Sequence, residues 1–98
     1  MEIGDIRNFK EKLYQIASKN GITKIYVVGS VAHGGSDQSS DIDFLIEMDE
    51  DASAFGVGAF QYEAQNLIGV EVHVIPRFAL LKTDDEFVRS VKENAIPL

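Results

Sequence analysis

The chain has no cysteine in its 98 residues. That excludes a disulfide framework, a thiol nucleophile and cysteine-bound zinc, and it suits a reducing compartment. No apolar run approaches the roughly 20 residues that a membrane-spanning helix needs. The opening Met1-Glu2-Ile3-Gly4-Asp5 is acidic, unlike a secretory signal, so the expected location is the cytoplasm, away from any membrane. Basic residues are scarce: 9 Lys and Arg stand against 16 Asp and Glu, a net charge of −7. Such a chain is not expected to bind along a nucleic-acid backbone, which calls for a basic face. It can still take a nucleotide whose charge a metal neutralises, and its charge favours encounter with a basic protein. Internal repeats and low-complexity tracts are absent. With 45% hydrophobic and 26% charged residues, the length predicts a single domain, 1–98, with a modest core.

The chain is organised by alternating periods. Ile6, Phe9, Leu13, Ile16 and Ala17 recur at helical spacing, which predicts an amphipathic helix from Asp5, as N-cap, to Lys19, stopped by Asn20-Gly21. Ile25 to Val28 reads as a buried strand, Ser30 to about Ala32 as a short helical turn, and Gly34 to Ser40 as a polar loop. Asp41 to Glu47 reads as a second strand, followed by a solvated acidic connection, Met48 to Asp51. A helix is expected from Ser53 to Leu67, weakened by Gly56 and Gly58 and ended by Gly69. Val70 to Ile75 alternates as a third strand that Pro76 stops. Thr83-Asp84-Asp85-Glu86 resembles a capping box for a last helix, and Ala95 to Leu98 could add an edge strand. The fold class is therefore α/β (α+β), a mixed sheet of three or more strands flanked by helices.

The most informative feature is Gly29-Ser30, ten residues, then Asp41-Ile42-Asp43. Four fixed residues at this spacing match on the order of once in 10⁵ start positions at ordinary usage, so accident is a poor account of them. Gly29 lets the backbone turn sharply after the strand, and Ser30 offers a hydroxyl and an N–H where a helix could begin. Residues two apart in a strand share a face, so Asp41 and Asp43 aim at one spot. Two carboxylates that close repel unless a cation lies between them, and oxygen donors of this kind suit Mg²⁺ with substrate phosphates. A solvated turn pair is the plainer alternative. Against it, Ile42, Phe44 and Ile46 make the opposite face apolar, which belongs to a packed strand.

On the third strand, Val70, Val72 and Val74 face one way, and Glu71, His73 and Ile75 the other. Glu71 reads either as an outward charge or as a third carboxylate, holding a second ion and helping to deprotonate an attacking oxygen. His73 reads as an exposed neighbour of Glu71. Tyr14 and Tyr26 read as packing residues. Tyr62 remains a possible acceptor for self-modification.

Taken together, Gly29-Ser30-Val31-Ala32-His33-Gly34, Ser40-Asp41-Ile42-Asp43-Phe44-Leu45-Ile46 and Val70-Glu71-Val72 resemble the DNA polymerase β-type nucleotidyltransferase superfamily. Within it, the chain is similar to the minimal nucleotidyltransferases, the MntA-type antitoxins of prokaryotes. The likeness covers Tyr26 to Ile75 by motif and the whole chain by order of elements. It implies ATP as substrate with two Mg²⁺ ions, Gly29 and Ser30 on the triphosphate, Asp41 and Asp43 on both metals, and Glu71 on one. It also implies the activity, transfer of AMP to a hydroxyl, such as that of a tyrosine, on a partner HEPN-type toxin ribonuclease. The chain departs from the family pattern in carrying Glu71 where Asp is usual, and His33, a potential phosphate contact, where many relatives have Arg. Two other readings stay open: a catalytically weak or inactive module that silences the toxin by binding, and transfer to a small molecule.

Overall fold

The computed structural model describes residues 3–28, 42–77 and 95–98. Of the expected features, Gly29, Ser30, His33 and Asp41, the polar loop and the last helix with its capping box lie outside these residues. The described elements run α1 (Ile3–Arg7), α2 (Lys10–Lys19), β1 (Ile22–Val28), β2 (Ile42–Met48), α3 (Phe55–Ile68), β3 (Val72–Pro76) and β4 (Ile96–Pro97). The strands form one mixed sheet in the order β3-β2-β1-β4. β1 pairs antiparallel with β2 and β4, and β2 pairs parallel with β3. A parallel pair needs a crossover, and α3 supplies it.

The alternation read along the strands becomes two sheet faces. Ile25, Val27, Ile42, Phe44, Ile46 and Val72 point toward α2 and α3, where they meet Leu13, Ala17, Phe60, Ala64 and Ile68 in one core. Phe44 and Phe60 stand at its centre with ring centroids 6.1 Å apart and tilted by 58°, a geometry worth about 0.5–1.5 kcal/mol beyond area burial. The opposite face carries the smaller cluster of Val28 and Leu45 with Tyr26, Ile75 and Ala95.

Several element bounds differ from expectation. The first helix is two, because Phe9 N–H closes a tight turn onto Ile6 O at 2.9 Å. Asp5 therefore lies in the first turn of α1, and Phe9 is the N-cap of α2. That turn lets both Ile6 and Leu13 reach the core, where they are fully buried. β1 begins three residues early, at Ile22, because a bulge between Ile22 and Lys24 turns both Ile22 and Ile25 inward. β3 begins at Val72 rather than Val70 and does end at Pro76, its last residue, which is level with Ile46, as an edge strand allows when no N–H is needed on its free side. Gly69 does end α3, as a left-handed C-cap at φ 86°. Ile96–Pro97 does form the far edge strand. Among the described residues, no helix is long and apolar enough to cross a membrane.

Candidate active site

Of the candidate residues, Asp43 and Glu71 are described, and both lie toward the end of the sheet where β1 ends. Val28, the last residue of β1 and the one before Gly29 in the chain, lies across from Asp43. On its other side β2 is paired with β3, and Asp43 falls in register with His73. Glu71 stands one residue before β3 rather than in its middle, and its carbonyl accepts the Ile42 N–H at 3.0 Å. Asp43, Glu71 and His73 thereby share the sheet face turned away from the helices, since Ile42 and Val72 between them are core residues.

Their surroundings differ. Asp43 is half-buried, whereas the Glu71 and His73 side chains are 63% and 48% exposed, with His73 Nε2 3.6 Å from Glu71 Oε1. That separation exceeds a hydrogen bond and becomes an ion pair when the imidazole is protonated. Glu71 is held mainly through its backbone. Next to its bonded carbonyl, the Val72 N–H points off the sheet edge and donates to Gln65 Oε1 of α3 at 3.0 Å. Gln65 was not legible as a site-positioning residue. It lies on a helix seven residues earlier, and only the packing of α3 against β3 brings it there.

Farther along the same face, Glu47 pairs with Arg77 and accepts a hydrogen bond from the Tyr26 hydroxyl at 3.4 Å. Tyr14 Oη accepts the Ile25 N–H at 3.2 Å. Both tyrosines are engaged within the fold, as expected. Tyr62 is exposed on α3, across the sheet from Asp43.

Asp43, on β2, and Glu71, just before β3, offer only oxygen donors on one face, which fits a hard divalent cation. Among the described residues no three of His, Asp and Glu come together as a metal-holding group, and Asp41, the further carboxylate of the motif, lies outside them.

A mixed sheet that sets the carboxylates of Asp43 and Glu71 on one face, near the end of β1, suits phosphoryl- or nucleotidyl-transfer chemistry. Residues 6–98 match the nucleotidyltransferase domain family, and the chain belongs to that family. It is 32% identical over 71 residues to a protein of Methanocaldococcus jannaschii assigned as a protein adenylyltransferase, covering 72% of this chain and 76% of the relative. A solved structure described as a minimal nucleotidyltransferase has the same fold, with a TM-score of 0.82 at 24% identity over 100% of this chain and 97% of that one. A chain of a toxin–antitoxin complex with AMP-PNP is also similar, with a TM-score of 0.69 at 16% identity over 89% of this chain and 69% of that one. A third likeness is to a chain of the complex between a tri-AMPylated HEPN toxin of Shewanella oneidensis and its MNT antitoxin. Its TM-score is 0.63 at 13% identity, over 93% of this chain and 69% of that one.

Proposed function

We propose that this chain transfers AMP from ATP to a tyrosine hydroxyl of a HEPN-type ribonuclease and thereby acts as its antitoxin. The observation that carries this reading is the placement of Asp43, on β2, and Glu71, just before the parallel strand β3, on one face of the sheet near Val28, the residue that precedes Gly29-Ser30 in the chain. It is supported by the relative assigned as a protein adenylyltransferase and by similarity of fold to toxin–antitoxin chains, one complex holding AMP-PNP and another an AMPylated HEPN toxin.

In this mechanism Gly29 and Ser30 receive the triphosphate on backbone N–H groups and a hydroxyl, with His33 as a further phosphate contact. Asp41, Asp43 and Glu71 would hold two Mg²⁺ ions, which when bound neutralise phosphate charge and favour in-line displacement. The tyrosine oxygen attacks the α-phosphorus, the bond to the bridging oxygen breaks, and pyrophosphate leaves. The hydroxyl proton passes to a carboxylate. Glu71, exposed on the same sheet face as the half-buried Asp43, would take it from an incoming hydroxyl.

Incubation with ATP, Mg²⁺ and the purified ribonuclease, followed by intact-mass measurement, tests the proposal. The ribonuclease should gain one or more AMP units and lose activity, and the Asp43→Asn protein should add none. An unmodified but silenced ribonuclease would replace transfer with inhibition by binding. That second reading draws on the position of Glu71, outside the strand and largely exposed.

A further inference from the structure

α3 buries one side in the core, has polar flanks at Gln61, Gln65 and Glu63, and leaves one further side open. Its inner side, with Phe60, Ala64 and Ile68, is buried in the core. On the outer side Phe55, Gly58, Ala59, Tyr62 and Asn66 are all exposed and fall within one stripe at helical spacing. The stripe carries no charge. The sole charged residue of α3, Glu63, lies to the side and is bonded to Lys19 Nζ at 3.2 Å. Surface helices normally turn charged residues outward. Here Phe55 is 89% and Tyr62 67% exposed.

The two glycines of α3 sharpen the point. A Cβ at Gly56 would strike Asn20 O at 2.5 Å, so the fold itself requires that glycine. A Cβ at Gly58 would meet nothing within 4 Å among the described residues. Glycine weakens a helix interior, and no contact among the described residues explains Gly58. It lies between the two exposed aromatics, which are two turns, about 10 Å, apart along the axis, close to the width of one packed helix. Bare backbone between two aromatic posts is a seat for close approach.

We propose that this face of α3 docks an apolar helix of a basic partner protein, and, resting on the function proposed above, that the partner is the HEPN-type ribonuclease. The charge distribution selects that occupant. Residues 25–76 contain no Lys or Arg and nine Asp or Glu, and Asp49, Glu50 and Asp51 are exposed just ahead of α3. A second copy would meet the same acidic rim and be repelled, whereas a basic partner is attracted.

Titration calorimetry of the full chain with the purified ribonuclease tests this. Gly58→Gln, a better helix former that fills the seat, should melt no lower than wild type yet bind at least about 10-fold more weakly. Phe55→Ala and Tyr62→Ala should each lose about 10- to 100-fold. Asp43→Asn should bind as wild type does. If wild type binds and these α3 variants bind equally well, the docking face is wrong while the antitoxin reading stands. If wild type does not bind the ribonuclease, both fall. A dimer in light scattering that Gly58→Gln converts to monomer would make a second copy the occupant and overturn the proposal.

Discussion

Replacing Gly56 by alanine should destabilise the protein, whereas the same change two residues on, at Gly58, should stabilise it. In an open helix interior, glycine to alanine gains about 0.8–1.0 kcal/mol. Gly58 has open space around it among the described residues and should return most of that gain. At Gly56 the new methyl would stand 2.5 Å from Asn20 O and 3.3 Å from Asn20 Cβ. Asn20 cannot easily move aside. Its N–H bonds Ala17 O at 2.9 Å, and its side-chain amide donates to Ile16 O at 2.9 Å and to Glu63 Oε2 at 3.5 Å. Forcing a methyl into such a contact typically costs about 1–3 kcal/mol. To a first approximation the propensity gain is common to both variants and cancels in their difference. The gap between them is then the overpacking cost, about 1–3 kcal/mol, or at least about 4 °C in Tm for a domain of this size. Thermal melts and urea titrations followed by circular dichroism measure it. If the two variants melt together, the packing of α2 against α3 through Asn20 is not as described.

Asp43→Asn should abolish AMP transfer in a mass-based assay while leaving the far-ultraviolet spectrum unchanged, because it removes one proposed metal ligand at nearly constant volume. Glu71→Gln should lower the transfer rate by about 10²–10⁴-fold through loss of a proton acceptor. Glu71→Asp, which installs the residue usual in the family, should retain activity or raise it. Gln65→Leu removes the acceptor for the Val72 N–H and should cost about 1–3 kcal/mol, with faster hydrogen exchange at Val72, whereas Gln65→Glu should restore much of the loss.

What the amino-acid order determined by itself was local. The alternation of Ile42, Phe44 and Ile46 against Asp43 and Glu47 settles which side of β2 is buried, because side chains two apart share a face whatever the partner strand. The Gly-Ser to Asp-x-Asp spacing pointed to the family for the same reason: its elements are contiguous in the chain. The break at Phe9 and the bulge of β1 were not legible. Both arise where a local pattern bends so that Ile6 and Leu13, or Ile22 and Ile25, can share one core. The neighbours of Asp43 were decided by strand pairing alone. Its register with His73, the Ile42 bond to the Glu71 carbonyl and the Gln65 bond to Val72 join residues 7 to 30 positions apart. Likewise, periodicity marks the outer stripe of α3 as one face of a helix, but only the packed molecule decides that this uncharged face stays open. The physical reason is that a repeat in sequence orients a side chain relative to its own element, whereas burial and pairing depend on which other elements arrive beside it.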